Sequence, residues 1–212
     1  MGARIHFTIF VVAIFLFFTL KVNAQRYHFE NYTTENGLTN SAVLSIAQLK
    51  NGEIWLGTND GGINIYNGTE FKTLNKSNGL IDDVVYDLYV DETESVYICT
   101  NNGLCKYDNG AIDSIPFGDS LVPDRIFQMY QDRHGQKLLA TAKGLAQLVN
   151  DTIYHYPTEN QILNNASCIS INEDADGNLW VSTLGSSAFK ISSNNEVQSY
   201  SDGNNWKYNF RF

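Results

Sequence analysis

The stretch Asp174-Ala175-Asp176-Gly177-Asn178 sets oxygen-bearing side chains around a glycine, as the opening of a calcium-binding loop does. Such a loop also needs flanking helices and a closing Glu, whereas Leu179-Trp180-Val181 continues as an apolar strand. The matching turn before Trp55, Leu49-Lys50-Asn51-Gly52, has no acidic residue. Asp and Asn in these places are what tight turns demand, so a turn is the expectation. His28, His134 and His155 lie far apart, and no CxxC or Cys/His cluster with zinc spacing occurs, so no metal is expected. Neither a Ser nucleophile elbow, HExxH, a phosphate loop nor GxGxxG is present, and no cofactor or catalytic residue is assigned. Asp82-Asp83 and the Glu92/Glu94 pair have the chemistry of an acid and a base, but carboxylates so placed are expected to be solvated. Cys99 and Cys105 flank the turn Thr100-Asn101-Asn102-Gly103-Leu104. Two readings stand: a disulfide across a hairpin, or two small apolar fillers of a β-core.

The first 24 residues read as an export signal. Arg4 gives a positive start, residues 7–20 (FTIFVVAIFLFFTL) form an apolar run, and Val22-Asn23-Ala24 supplies small residues for cleavage before Gln25. The run is shorter than the roughly 20 apolar residues of a spanning helix, so a cleaved signal is expected over an uncleaved anchor, and the mature chain is expected to be periplasmic or secreted. The chain of 212 residues has 14 basic against 23 acidic side chains, a net charge of −9. Losing Arg4 and Lys21 takes it to −11, and such a surface repels nucleic-acid phosphates. With 12 Tyr, 12 Phe, 3 Trp and 16 Gly, the composition suits β-sheet.

The elements that must position these residues come from a tandem repeat. Thr58, Thr100, Thr141 and Thr183 close β-rich segments at steps of 42, 41 and 42 residues. Gly37-Leu38, Gly79-Leu80, Ser120-Leu121 and Ile162-Leu163 keep the same beat, and so does the residue after each hairpin turn, Gly62, Gly103, Gly144 and Ser187. Within the first copy, residues 42–48, 53–58, 63–66 and 71–74 read as strands separated by Asn-Gly and Asp-Gly turns, the chemistry of tight hairpins. Four strands in about 42 residues is a β-propeller blade. The fold expected is all-β: blades over 37–78, 79–119, 120–161 and 162–200. Trp55, Tyr97, Leu138 and Trp180 share one strand position and are expected to fill the core between blades, not to form a sugar-stacking platform.

The pattern Glu35-Asn36-Gly37-Leu38-Thr39-Asn40-Ser41-Ala42-Val43, followed by Asn51-Gly52-Glu53-Ile54-Trp55-Leu56-Gly57-Thr58 and Gly61-Gly62-Ile63, resembles the two-component regulator propeller repeat. Residues 173–183 repeat its second half; copies two and three, lacking the Trp, match more loosely. The resemblance implies a periplasmic sensor region of a hybrid histidine kinase of the Bacteroidetes type. That region would perceive an extracellular ligand, often an oligosaccharide, and signal to a kinase at the inner membrane. No kinase or receiver motif follows the repeats.

Propeller geometry puts the loop leading into each blade on the same side as its middle hairpin. The candidate ligand-binding face then comprises Asn36, Thr39, Asn40, Asn59, Asp60, Asn78, Asp82, Asn101, Asn102 and Arg125, side chains able to hydrogen-bond sugar hydroxyls. Turn chemistry explains the same Asn and Asp residues one by one. The alternative functions are a propeller enzyme acting on glycans, a lyase or hydrolase, and an inactive gene fragment. The last follows from strand counting. One period before 71–74 falls on residues 29–32, so 25–36 is expected to hold an outer, ring-closing strand over 27–32. Residues 201–212 open a fifth repeat too short for three strands. An incomplete propeller, self-associating through unpaired blade edges, is the expectation.

Overall fold

The structure, a computed structural model, describes residues 29–118, 124–185 and 187–201. The expected export signal over residues 1–24, residues 202–212 of the expected fifth repeat, and Ser120-Leu121 lie outside the described residues. Contacts divide the chain after Asn31. Of the first unit, residues 29–31 are described, and they are not in a strand; Tyr32 is not in one either. The expected outer strand over 27–32 is therefore not formed at its described residues, 29–32; just after them Thr33 caps a 3-10 turn, Thr34–Asn36.

From Tyr32 onward the chain forms four antiparallel four-stranded sheets, each in simple chain order. Blade 1 holds β1 (Val43–Gln48), β2 (Ile54–Thr58), β3 (Ile63–Tyr66) and β4 (Phe71–Leu74). Blade 2 holds β5 (Val85–Val90), β6 (Val96–Thr100), β7 (Gly103–Asp108) and β8 (Ala111–Ser114). Blade 3 holds β9 (Ile126–Gln131), β10 (Lys137–Thr141), β11 (Gly144–Val149) and β12 (Thr152–His155). Blade 4 holds β13 (Cys168–Glu173), β14 (Leu179–Thr183), β15 (Ser187–Ile191) and β16 (Val197–Ser201). The inner strands β1, β5, β9 and β13 neighbour one another in that order.

Each beat of the repeat has a physical cause. The hydroxyls of Thr58, Thr100, Thr141 and Thr183 donate to the carbonyls of Gly62, Gly103, Gly144 and Ser187 at 2.8–2.9 Å, closing the same hairpin four times. Gly62 and Gly144 take left-handed φ of 72° and 100°, and a Cβ there would run into the carbonyl oxygens of Leu74 and Asn164. The Gly-Leu beat is a lead-in turn with a buried wedge. Gly37 and Gly79 end the 3-10 turns Thr34–Asn36 and Lys76–Asn78, and Leu38 and Leu80 are buried behind them. In blade 4 the wedge is Leu163, carried by a helix absent from the sequence expectation, α1 (Gln161–Asn165), whose start is capped by Asn160.

The core lies between blades rather than within them. One cluster joins Trp55, Ile63 and Ile65 of blade 1 to Leu88, Val96, Ile98 and Cys105 of blade 2. A second joins Tyr97, Cys99 and Leu104 to Met129, Leu139 and Ile153, and a third joins Leu138 and Leu145 to Ile171, Val181 and Phe189. Polar side chains of inner strands stitch the blades as well. Asp87 Oδ2 accepts from the Met129 N–H at 3.1 Å, and Gln128 Oε1 from the Ile171 N–H at 2.6 Å.

The hairpin β6–β7 settles the two readings of its cysteines. Cys99 pairs with Leu104 and Ile98 with Cys105, so the two thiols sit on opposite faces of the sheet, in different core clusters. All three cysteines are free and buried. They are fillers because a step of one along a strand reverses the side-chain direction. Trp55, Tyr97 and Leu138 are buried as expected of core residues, whereas Trp180 is only half-buried.

Candidate functional site

The calcium-like stretch is a turn. Asp174 Oδ1 accepts from the backbone N–H groups of Asp176 and Asn178, and Oδ2 accepts from Trp180 Nε1 at 2.9 Å. The indole and amide donors hold the Asp174 carboxyl well below the usual carboxylate range. Asp91 and Asp132 do the same work in blades 2 and 3, bonding Thr93, Ser95, His134 and Gln136 N–H groups. Among the described residues, no three His, Cys, Asp or Glu side chains converge as a metal site.

The expected sharing of one side by hairpins and lead-in loops is visible in backbone bonds. Asn59 N–H donates to Ala42 O, Gly62 N–H to Asp83 O, and Asn101 N–H to Val84 O. Half of the side chains of the candidate face are nevertheless spent on holding the fold. Asn36 and Asn78 accept from Thr33 and Asn75 N–H groups in capping boxes. The Thr39 hydroxyl donates to Asn64 Oδ1 at 2.7 Å, and Asn40 Oδ1 accepts from Ala42 N–H. Asp82 accepts from Val84 N–H and pairs with Lys76 at 3.3 Å. Asn59 joins a β-bridge to Val84, Asp60 sits at φ 150°, and Asn102 N–H donates to Thr100 Oγ1.

Asn101 and Arg125 are brought together. Arg125 Nε donates to Asn101 Oδ1 at 2.9 Å, between blades 2 and 3. Two aromatic residues that sequence reasoning missed complete the group. Tyr86 O–H donates to the same Asn101 oxygen at 3.3 Å, its ring lies 5.1 Å from that of Phe127, and the Arg125 guanidinium lies 5.8 Å from the Phe127 centroid. Both aromatics sit at β-bulges. Val85 and Asp87 pair with Thr100 and Cys99, and Ile126 and Gln128 with Thr141 and Ala140, so Tyr86 and Phe127 are the unpaired extra residues. A bulge re-aims one side chain out of the pleat. The signal available in sequence was the second residue of each inner strand: Leu44, Tyr86, Phe127 and Ile169, aromatic in two adjacent copies. Because both bonds land on Oδ1, the Asn101 amide nitrogen and the Arg125 Nη atoms keep unused donors among the described residues. An aromatic pair beside amide and guanidinium donors can stack on a ring and bond its oxygens. His134 and His155 lie away from it, in the β9–β10 turn and at the end of β12.

The family model described as "Two component regulator propeller" matches residues 37–60 and 162–185. Histidine kinase P4 of Formosa agariphila is 38% identical over 66 residues, 30% of this chain and 5% of that protein. The extracellular domain of the hybrid two component system BT3049 from B. thetaiotaomicron superposes with a TM-score of 0.66 at 23% identity, over 78% of this chain and 23% of that one. Virginiamycin B lyase from Staphylococcus aureus gives a TM-score of 0.57 at 13% identity, over 77% and 56% of the two chains. The chain thus spans a small part of the kinase and under a quarter of the extracellular domain it matches. Those two structural likenesses carry the fold alone, which a lyase and the extracellular domain of a hybrid two component system share. Residues 37–60 and 162–185, in blades 1 and 4, are thus similar to the two-component regulator propeller repeat, in a chain whose four four-stranded sheets have the β-propeller fold.

Proposed function

We propose that the chain is the ligand-sensing propeller region of an exported two-component system, and that Tyr86, Asn101, Arg125 and Phe127 hold an oligosaccharide between blades 2 and 3. The observation that carries the reading is the pairing of two bulge-borne aromatics with an Asn101–Arg125 bond on the side where hairpins and lead-in loops meet. Bound sugar would stack on the Phe127 and Tyr86 rings and accept bonds from the Arg125 Nη atoms and the Asn101 amide. Export by cleavage after Ala24 into the periplasm, and output through a histidine kinase at the inner membrane, belong to the same proposal. Among the described residues no helix is long and apolar enough to cross a membrane.

Calorimetric titration of the purified chain with pools of neutral and uronic-acid oligosaccharides tests it. At least one pool should bind without turnover, and Phe127→Ala and Arg125→Ala should each weaken binding about tenfold or more. Binding that both variants leave unchanged would remove the assigned site. New reducing ends or unsaturated products would favour a glycan-cleaving propeller instead.

A further inference from the structure

Each blade turns one face to the blade before it and the other to the blade after it. The face toward the preceding blade centres on one inner-strand position: Leu88, Met129 and Ile171 are 7%, 3% and 1% exposed in blades 2, 3 and 4. Register equates these with Ile46 of blade 1, each being the fourth residue of its strand and one step past the bulge. Ile46 is 68% exposed, and Val43 and Leu44 beside it are exposed too. Leu56, whose equivalents Ile98, Leu139 and Val181 are all buried, is likewise only half-buried.

The opposite face is open at the other end. In blades 2 and 3 it is built on Tyr97 with Ile115 and on Leu138 with Tyr156, all buried against the following blade. Blade 4 presents Trp180 and Tyr200 in the same places. Their rings stack 5.3 Å apart, and Tyr200 is 42% exposed where Ile115 and Tyr156 are 6% and 5%. The two open faces are thus the two halves of a contact that the chain already makes three times internally. Its best-defined version sets Trp55 of blade 1 edge-on to Tyr107 of blade 2, at 4.9 Å. Trp180 is the equivalent of Trp55, and Tyr66 is the equivalent of Tyr107.

We propose that blade 4 of one copy of this chain packs on blade 1 of a second copy, head to tail, continuing the blade-to-blade interface between molecules. Trp180 and Tyr200 would cover Ile46, Leu56 and Tyr66 of the second copy. The two patches differ, so the contact is heterologous: it closes into a ring if the rotation allows and otherwise continues into a chain of molecules. Burying apolar surface that the internal contacts already show to be complementary supplies the driving force.

Sedimentation velocity on the purified chain tests this, with Ile46→Asp and Trp180→Asp as variants and Tyr200→Asp as a second block of the blade 4 face. Far-UV circular dichroism checks that each keeps its sheet. Wild type should shift to higher mass with concentration, and each variant alone should remain monomeric. A mixture of Ile46→Asp and Trp180→Asp should restore association but stop at a one-to-one dimer, because each supplies the face the other lacks. A wild type that stays monomeric, a variant that associates as wild type does, or a mixture that stays monomeric would each overturn the proposal. This outcome is independent of whether any sugar binds.

Discussion

The carboxylate of Asp174 accepts a hydrogen bond from the indole Nε1 of Trp180 at 2.9 Å, tying a hairpin turn to the strand it leads into. Blade 1 has the tryptophan without its acceptor. Trp55 occupies the Trp180 position, but the position of Asp91, Asp132 and Asp174 is filled by Leu49, and Trp55 Nε1 is buried with no hydrogen-bond partner among the described residues.

Leu49→Asp is therefore expected to stabilise the protein, by about 1 kcal/mol, since an unsatisfied buried donor costs about 1–3 kcal/mol and some apolar contact of Leu49 is lost. Thermal unfolding at neutral pH should show a higher Tm. The converse change, Asp174→Ala, should lower Tm. A Leu49→Asp protein no more stable than wild type would show that Trp55 Nε1 costs nothing where it is.

The repeated threonine bond gives a second expectation. Thr141→Val keeps shape but removes the hydroxyl that donates to Gly144 O at 2.8 Å and accepts from Lys143 N–H at 3.1 Å. The loss should be about 1–2 kcal/mol in denaturant unfolding, with the slope unchanged.

Asp87 sets a pH dependence. Burial raises its pKa, and bonds from the Met129 and Leu88 N–H groups only partly offset that. Between the unfolded value near ~4 and the raised folded one, the folded chain holds a proton that the unfolded chain has released. This group's contribution to stability therefore falls as pH rises through that window. Asp87→Asn keeps an oxygen for the Met129 N–H without the buried charge. Its Tm should exceed that of wild type at pH 7, with the gap closing on acidification; a gap constant with pH would contradict this.

The thiols offer a chemical check. Burial pushes the Cys168 thiol up to about 12 and raises the Cys99 and Cys105 thiols. A thiol-specific reagent should find essentially no reactive cysteine in the native protein and three equivalents after denaturation, with or without prior oxidant. One equivalent after denaturation would mean that two of the cysteines are bridged.

How much was legible in the sequence can be judged strand by strand. The threonine, glycine and Asn-Gly beats led to four blades whose strands begin within a residue of the expected places in blade 1, at Val43 and Ile54 rather than 42 and 53. The shift at Glu53 is local: its N–H is held by Asn51 Oδ1 in the turn. The fate of Asn36, Asn40, Asn78 and Asp174 as turn and cap acceptors was foreseeable for the same reason, since each bonds within four residues of itself.

Periodic, short-range chemistry is what this sequence determines by itself: which residues turn, which alternate, and where each blade starts. Tertiary structure alone decided three things. It separated Cys99 from Cys105 through a one-residue register, and it brought Tyr86, Asn101, Arg125 and Phe127 together from two blades through matched bulges. It also made one repeat position buried at Leu88, Met129 and Ile171 but exposed at Ile46. The cysteines depend on the register of one hairpin, the Tyr86–Phe127 group on contacts between two blades, and Ile46 on the neighbour its blade happens to have. Identical local patterns cannot encode that difference, because burial is a property of the surface opposite.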